Sequence, residues 1–258
     1  MGVKSLLNSL IKPTGYEFHR TPQARLKSGE ELPFRFDGLT SYHNHDFMQN
    51  PGFKRAYERG VAAAGIDYKW YWRVYTGLWA AQTAAKLDGD FVECGVNLGF
   101  MSSAVMELLD WDSTGKTFYL MDTFAGVDER YTTEEEREQG VMERNDHLPY
   151  TTDLERVRAN FSGWQNKKII VGAIPETLEQ ADTDKVAYMH IDMDCIPPEI
   201  AAINYFWDKL VPGALMVLNC YAYYGYDLHR AAYDELFASK GVRILTLPTG
   251  QGLVIKPG

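Results

Sequence analysis

Two acidic residues follow the apolar strand predicted at Ala187–Ile191, and carboxylates at a strand end can transfer protons or bind cations. His190, Asp192 and Asp194 alternate along this segment, so they lie on one face where the sheet exposes its carboxyl edge. Burying an unpaired carboxylate is costly, which predicts a use for them as a metal ligand, a general base or a cofactor contact. Capping of the next helix is the alternative for Asp194, and it explains Asp192 less well.

A glycine-rich turn follows the predicted strand Phe91–Cys94. Its pattern, Glu93-x-Gly95-x-x-x-Gly99, leads into a helical pattern at Met101–Leu109, and such units bind ligands at the carboxyl end of the strand. The spacing is not the G-x-G-x-x-G of dinucleotide-binding folds, which disfavours a nicotinamide-dependent oxidoreductase. Glu93 would repel a phosphate but can accept hydrogen bonds from an ammonium group. A purely structural turn is the alternative.

A third carboxylate, Asp122, follows the predicted strand Thr117–Met121 and opens the segment Asp122-Thr123-Phe124-Ala125-Gly126. At that position it can accept hydrogen bonds from ribose hydroxyls, and Phe124 is then expected near an adenine ring. The alternative is an aspartate that only caps a turn. We favour ribose binding because of the strand before Asp122 and its distance from the glycine-rich turn.

A parallel sheet must position these residues, because strand and helix patterns alternate from Asp90 onwards. The remaining strands are predicted at Lys168–Val171, Ala214–Leu218, Arg243–Leu247 and Gly252–Lys256, and the remaining helices at Leu154–Phe161, Glu176–Gln180, Pro198–Leu210 and Leu228–Lys240. Only four residues separate the last two strands, which therefore form a hairpin. The prediction is an α/β fold whose seven-stranded, mostly parallel sheet ends in an antiparallel strand.

The first 88 residues are predicted to form an N-terminal arm and a helical extension or lid, ahead of a ligand-binding domain over residues 89–258. Helices are expected at Ser5–Ile11, Phe53–Ala64 and Tyr68–Lys86. The last of these is rich in tryptophan and tyrosine, which favours packing, a roof over the ligand site or a homo-oligomer contact. Residues 126–166 interrupt the alternation and are predicted to form an inserted lid.

The order and spacing of four motifs give the chain a resemblance to a known family. The motifs are Glu93-x-Gly95-x-x-x-Gly99, Asp122–Gly126, His190–Asp194 and Leu210–Ala214. From about Phe91 to Phe237 the chain resembles the macrocin O-methyltransferase (TylF-type) family, which are class I S-adenosylmethionine-dependent methyltransferases with a Rossmann-like fold. The resemblance implies that residues 89–258 bind S-adenosylmethionine and that the protein methylates a hydroxyl of a sugar or glycosylated metabolite. A catalytically silent protein of the same fold, which binds S-adenosylmethionine or only a partner, is the alternative.

The resemblance also implies roles for individual residues. Glu93 and the backbone of the glycine-rich turn would hold the amino-acid end of the cofactor, Asp122 its ribose, and Ala173 its adenine. The full set of implied cofactor contacts is Glu93, Gly95, Asn97, Gly99, Asp122, Thr123, Phe124, Ala173 and Asp192.

The family often uses magnesium, which the resemblance places on an acid at the position of Asp192 and on two consecutive acids after the fifth strand. In this chain Asn219 and Cys220 occupy that second place. An asparagine oxygen could still bind magnesium beside Asp192, but a cysteine is a poor ligand for it. We therefore expect no magnesium at this site.

Without a metal, a general base must remove the proton of the acceptor hydroxyl, and histidine is suited to this near neutral pH. The candidates are His147 in the inserted segment, His190 on its strand, His229 at a helix start, and Asp192. We rank His147 and Asp192 first, because the family tends to place a histidine in a loop that can close over the acceptor.

The composition narrows the class of partner. A net charge of −9 and the lack of any basic run argue against nucleic acid. Three cysteines without a C-x-x-C pair fit a reducing compartment, and no apolar run reaches the roughly 18 residues needed to span a membrane. We expect a cytoplasmic protein whose partner is a small-molecule acceptor, a sugar or glycoside.

Overall fold

A seven-stranded β-sheet carries the candidate site. The computed structural model describes residues 34–141 and 150–258. The strands of the sheet are β3 (Asp90–Cys94), β4 (Phe118–Asp122), β5 (Lys167–Val171), β6 (Val186–Ile191), β7 (Leu210–Leu218), β8 (Leu245–Thr246) and β9 (Gly252–Ile255), and a separate hairpin consists of β1 (Phe34–Phe36) and β2 (Leu39–Ser41).

The strand order in the sheet is β5-β4-β3-β6-β7-β9-β8. Pairing is parallel from β5 to β7, whereas β9 pairs antiparallel with both β7 and β8. The predicted mostly parallel sheet with an antiparallel last strand is therefore confirmed. The register places Glu93 of β3 directly opposite His190 of β6, so side chains from two separate motifs meet at the carboxyl edge.

Helices cover both faces of the sheet. They are α1 (Pro51–Ala64), α2 (Tyr71–Ala84), α3 (Phe100–Leu109), α4 (Glu134–Glu138), α5 (Leu154–Asn160), α6 (Ile196–Trp207) and α7 (Asp227–Ser239). One core joins α1, α2 and α3 to alternate strand residues such as Phe91 and Tyr188. A second core joins α6 and α7 to the intervening residues, such as Val92 and Met189. Because both faces are buried, the strands read as nearly continuous apolar runs.

The helical extension begins and ends at residues that the sequence marks clearly. The Asn50 side chain accepts hydrogen bonds from the backbone N–H groups of Gly52 and Phe53, and Pro51 occupies the first helical position of α1. Gly65 ends α1 in the left-handed conformation, which glycine adopts without steric cost. Helix α2, predicted from Tyr68, begins at Tyr71 instead.

Three predicted boundaries after β5 are wrong. The helix expected at Glu176–Gln180 is only a 3₁₀ turn at Leu178–Gln180, and the strand expected at Arg243–Leu247 is reduced to β8. The helix expected to reach Leu210 ends at Trp207, and Leu210 already belongs to β7. The pairing of β7 with β6 shifts in register between Val186 and Tyr188. This irregularity lies beside Pro212 and Gly213 of β7, residues that are typical of irregular strand positions.

In the predicted N-terminal arm the one element expected before Phe53 is the helix Ser5–Ile11, so the sequence did not predict the β1–β2 hairpin. Its turn is Asp37-Gly38, and both residues have positive φ angles, 52° and 69°, as a two-residue hairpin turn requires. The helix predicted at Ser5–Ile11 lies outside the described residues. No helix within residues 34–141 and 150–258 is long and apolar enough to cross a membrane.

Candidate active site

A cavity of about 390 Å³ opens at the carboxyl ends of β3, β4, β6 and β7, within the range of small-molecule sites, about 300–1,000 Å³. It brings together most of the residues that the sequence predicted to be functional: Glu93, Gly95, Asn97, Asp122, Thr123, Ala173, His190, Asp192 and Asn219. Two further predicted residues, Gly99 and Phe124, do not line it. The sheet edge thus collects side chains from five separate segments of the chain.

Glu93 and His190 form a buried pair that lines the cavity. Glu93 Oε1 lies 2.9 Å from His190 Nδ1, and the two side chains are 3% and 2% exposed. Burial alone would lower the pKa of His190, but the hydrogen bond and charge of Glu93 outweigh it and raise that pKa. Glu93 Oε2 and His190 Nε2 have no hydrogen-bond partner among the described residues. Burying a polar atom without a hydrogen-bond partner costs free energy of folding. These two atoms therefore favour the binding of a polar ligand that hydrogen bonds to them.

The glycines of the first motif are explained by the packing of the protein itself. Gly95 has a φ of 89°, and a Cβ there would stand 1.9 Å from the Asp192 carbonyl oxygen. Gly99 has a φ of 83°, and a Cβ there would meet the Phe161 ring at 2.3 Å. Both positions therefore need glycine without any ligand. The motif identifies a tight β3–α3 turn, and the ligand contacts must be argued from other atoms.

Asp122 holds the backbone of the same turn. Its Oδ2 accepts hydrogen bonds from the N–H groups of Val96 and Asn97 at 2.6 and 2.8 Å. Its Oδ1 accepts from the Phe124 N–H at 2.7 Å. The capping role considered from the sequence is therefore present. Each carboxylate oxygen can accept more than one hydrogen bond, so ribose binding by Asp122 stays compatible with this role and remains a prediction.

Residues after Asp122 are divided between the cavity and the core. Thr123 closes a turn, because its hydroxyl donates to the Gly126 carbonyl oxygen at 2.6 Å. Phe124 has a φ of 48° and is 5% exposed within the main core. Its side chain therefore packs against the protein. The expectation that Phe124 lies beside an adenine ring has no support in this packing, whereas Ala173 at the end of β5 does line the cavity.

Asp192 is a half-buried carboxylate that lines the cavity. Its Oδ1 accepts a hydrogen bond from the Asn219 amide at 2.8 Å and lies 3.6 Å from the Cys220 sulfur. Among the described residues, nothing hydrogen bonds to its Oδ2. Burial and the neighbouring Asp194 charge raise the pKa of Asp192 to about 6, although His190, Asn219 and Arg73 oppose this. A carboxylate with such a pKa can act as a general base near neutral pH.

Asp194 accepts hydrogen bonds from the protein on both of its carboxylate oxygens. Its Oδ2 accepts from the Tyr150 hydroxyl at 2.6 Å, and its Oδ1 accepts from the Tyr226 hydroxyl at 2.8 Å and from the Cys220 thiol at 3.3 Å. Burial, followed by the Asp194 and Asp192 charges, raises the pKa of Cys220, so this thiol stays a donor. Asp194 therefore ties the inserted segment, through Tyr150, to the loop after β7.

Arg73 of α2 reaches the same edge of the sheet, although no functional role is predicted for it from the sequence. Its Nη1 donates to both the backbone oxygen and the side-chain Oδ1 of Asn219, each at 3.0 Å. Its Nε pairs with Asp37 of the hairpin at 3.1 Å, and its Nη2 donates to the Thr249 carbonyl oxygen at 2.9 Å. Arg73 was missed because its partners are 36, 146 and 176 residues away in the sequence.

The donor set does not fit magnesium. Asp192, Asp194 and Cys220 offer ligand atoms within 4.8 Å of one another, but a thiol is a poor ligand for a hard cation that prefers oxygen. Each Asp194 oxygen accepts a hydrogen bond from a tyrosine hydroxyl, so a cation there would compete with Tyr150 and Tyr226 for the carboxylate. Asn219 presents its amide N–H₂ to Asp192, so its oxygen is turned away from the position where a shared cation would bind.

The predicted histidines are separated by the fold. His147 lies outside the described residues. His190 belongs to the Glu93 pair, below the opening of the cavity. His229 does not line the cavity; it is 2% exposed, and its Nε2 lies 3.6 Å from Glu199 and 3.9 Å from Glu136. His229 therefore contributes to the attachment of α4, and its role as the base is not supported.

The sheet order, its antiparallel last strand and a cavity at the carboxyl edge define a class I methyltransferase fold. The chain superimposes on the O-methyltransferase NovP with a TM-score of 0.64 at 19% identity, over 72% of this chain and 80% of that one. It superimposes on the calicheamicin methyltransferase CalS11 with a TM-score of 0.56 at 13% identity, over 83% and 94%. At these identities the similarity shows the fold.

The sequence shows the family. The macrocin-O-methyltransferase (TylF) family matches residues 78–243, and the chain belongs to this family, which confirms the resemblance inferred from the motifs. It is also 28% identical over 143 residues to the 8-demethyl-8-(2,3-dimethoxy-alpha-L-rhamnosyl)-tetracenomycin-C 4'-O-methyltransferase of Streptomyces olivaceus. That match covers 53% of this chain and 54% of the relative, so the chain spans about half the length of this curated relative.

Proposed function

We propose that this protein is an O-methyltransferase that transfers the methyl group of S-adenosylmethionine to a hydroxyl of a sugar on a small glycosylated molecule. One juxtaposition supports this function best. In a member of the TylF family, the Glu93–His190 pair, which has two unpartnered polar atoms, lines the same cavity as Asp192. A site for an amino-acid group and a candidate base therefore share one enclosed space.

The cofactor would be bound by polar atoms at the ends of β3, β4 and β5. Glu93 Oε2 is the acceptor for the ammonium group, and its partner His190 holds Glu93 Oε1 in place at 2.9 Å. Asp122 accepts from the ribose hydroxyls with the lone pairs that the turn leaves unused, and Ala173 borders the adenine. S-adenosylmethionine, when bound, supplies an activated methyl group. The protein contributes chiefly by holding donor and acceptor in line.

Asp192 would remove the proton of the acceptor hydroxyl. As the hydroxyl oxygen bonds to the methyl carbon, the carbon–sulfur bond breaks and the proton passes to Asp192 Oδ2, which leaves S-adenosylhomocysteine and a methyl ether. The Asn219 amide donates a hydrogen bond to the other oxygen, Oδ1, so Oδ2 is the oxygen that accepts the proton. His147 is the second candidate base, and the variant His147→Ala tests it.

The acceptor would be bound on the β6–β7 side of the cavity. Trp70, Tyr223 and Tyr226 line it there, and sugars pack well on aromatic faces. The relative from Streptomyces olivaceus is named for methylation of a rhamnosyl group, which makes a rhamnosylated aromatic compound the first acceptor to test. The lid role of residues 126–166, the domain boundary after residue 88 and a homo-oligomer through α2 remain predictions.

Two measurements test this function. Isothermal titration with S-adenosylmethionine is expected to show micromolar binding that EDTA and added magnesium leave unchanged. Transfer of a radiolabelled methyl group is then measured on a panel of rhamnosylated aromatic compounds, with Asp192→Asn as the inactive control. Binding without transfer to any glycoside would favour a silent binding protein, and the absence of binding would reject the methyltransferase.

A further inference from the structure

The Arg73 guanidinium is buried beside the candidate base, and each of its N–H donors has an acceptor in the protein. Its side chain is 4% exposed. Nε and Nη2 donate to the Asp37 carboxylate at 3.1 and 3.4 Å. Nη2 also donates to the Thr249 carbonyl oxygen, and Nη1 donates twice to Asn219. Because its donors are taken, Arg73 is suited to hold other groups in position.

Arg73 determines which way the Asn219 amide faces. A guanidinium can only donate hydrogen bonds, so the Asn219 atom 3.0 Å from Arg73 Nη1 must be the amide oxygen. The Gln251 amide N–H₂ points to the same oxygen at 3.3 Å, which agrees with this orientation. The Asn219 amide nitrogen therefore faces Asp192 and donates to its Oδ1 at 2.8 Å.

We propose that Asp37, Arg73 and Asn219 form a positioning relay that occupies the place of a divalent cation beside Asp192, so that methyl transfer by this protein is independent of metal. The inference rests on the proposed function. The β1–β2 hairpin supplies Asp37, which orients Arg73; Arg73 orients Asn219; and the Asn219 amide fixes Asp192 with its Oδ2 turned to the acceptor.

The charges around Asp192 support the relay. A cation at Asp192 Oδ1 would have to displace the Asn219 amide, whose N–H₂ already fills that position. It would also approach the positive Arg73, which interacts electrostatically with Asp192. Asp37 forms an ion pair with Arg73. Its negative charge thereby balances the buried guanidinium, as a charge removed from water requires.

Asn219→Leu is the central variant of the test. It removes the amide but keeps the backbone oxygen that accepts from Arg73, so the Asp37–Arg73 pair survives. We expect kcat to fall about tenfold, with the affinity for S-adenosylmethionine unchanged. The lower limb of the pH–rate profile should move to higher pH, because the Asn219 hydrogen bond lowers the pKa of Asp192. Asn204→Leu, an exposed asparagine on α6, is the matched control.

Metal binding is measured separately with Mn²⁺ as the probe, by electron paramagnetic resonance of the free ion. The wild-type protein and Asp192→Asn are expected to bind Mn²⁺ equally weakly, which would show that Asp192 holds no metal ion. The transfer rate of the wild type should be unchanged in EDTA. The double variant Asn219→Asp with Cys220→Asp restores carboxylates next to Asp192. It should gain Mn²⁺ binding at least about tenfold tighter than wild type, lost again when Asp192→Asn is added.

The outcomes separate this inference from the proposed function. Asp192-dependent Mn²⁺ binding by the wild type, loss of activity in EDTA, no gain by the double variant, or an unchanged kcat in Asn219→Leu would overturn the relay while methyl transfer stands. Failure to bind S-adenosylmethionine would reject the function, whereas the Mn²⁺ measurement would still test the relay. Arg73→Met is a weaker test, because it leaves the buried Asp37 carboxylate unpaired and can prevent folding.

Discussion

The two halves of the cavity differ in how completely the protein satisfies their polar groups. The first half is built around the buried pair of Glu93 on β3 and His190 on β6. In this pair Glu93 Oε2 and His190 Nε2 have no partners among the described residues. In the β6–β7 half, Asp194 receives two tyrosine hydroxyls and a thiol. Asp192 there receives an amide on one oxygen only.

This difference indicates different tasks. A buried pair with unsatisfied polar atoms destabilises the folded protein, and a ligand that hydrogen bonds to those atoms removes this cost. This suits a half that binds an amino-acid group. A half whose carboxylates are already held by other side chains is preorganised, and a fixed geometry is what proton transfer needs. The first half should therefore respond to mutation in binding, and the second in the rate of transfer.

Asp192→Asn tests the second half most severely. The amide keeps the shape of the side chain but cannot accept the proton, so the transfer rate should fall about 10²- to 10⁴-fold, the usual contribution of a general base. Steady-state methyl transfer measures the rate, and titration calorimetry should show unchanged affinity for S-adenosylmethionine. A loss of cofactor binding with little loss of rate would assign Asp192 to the binding half.

Glu93→Gln tests the first half. It removes the charge that should pair with the cofactor ammonium, and a hydrogen bond to a charged group contributes about 1.5–3 kcal/mol. The affinity for S-adenosylmethionine should therefore fall roughly 10- to 100-fold, with kcat at saturating cofactor much less affected. Titration calorimetry of Glu93→Gln beside Glu58→Gln, which makes the same charge change at an exposed glutamate of α1, separates a local effect from a change in net charge. Equal affinity in wild type and Glu93→Gln would contradict the proposed contact.

The sheet and the binding half could be predicted largely from the sequence, for a local reason. Apolar strands with Glu93, Asp122 and Asp192 at or just beyond their carboxyl ends are contiguous signals, and parallel strands bring those ends to one edge. The hairpin also had a local signal, the Asp37-Gly38 dipeptide, which was overlooked. The glycines marked the correct turn, although their packing against Asp192 and Phe161 could not be read from spacing.

The relay beside Asp192 could not be predicted, because its contacts join distant segments. Arg73 lies in a helix whose aromatic residues dominated the interpretation, and its Asn219 contact spans 146 positions in the chain. Tyr150 and Asp194 are 44 positions apart. No periodicity or motif encodes such pairs, so the sequence located the carboxylates of the second half without the groups that hold them.

The pH dependence of the rate distinguishes the halves again. Because burial and Asp194 raise the pKa of Asp192 to about 6, the carboxylate form is lost as pH falls through that value. The transfer rate should drop about tenfold for each pH unit below 6. The titratable groups that face Asp192 are Asp194, His190 and Cys220, and the Arg73 guanidinium also acts on its charge. A pH–rate profile measures the limb, and a rate that is flat down to pH 5 would remove Asp192 as the base.

The smallest expected effect comes from Tyr150→Phe, which removes one of the two tyrosine hydroxyls from Asp194. A hydrogen bond to a charged group contributes about 1.5–3 kcal/mol, and 1 kcal/mol shifts the Tm of a chain of this size by about 2–4 °C. The Tm should fall by several degrees in thermal unfolding, while the affinity for S-adenosylmethionine is retained. Tyr224→Phe, at a side chain that is 98% exposed, should leave the Tm unchanged. In this proposal Asp194 holds the structure together and is not the base, so the transfer rate should change little. A hundredfold loss of transfer in Tyr150→Phe with an unchanged Tm would contradict this and would show that Asp194, as well as Asp192, contacts the reacting atoms.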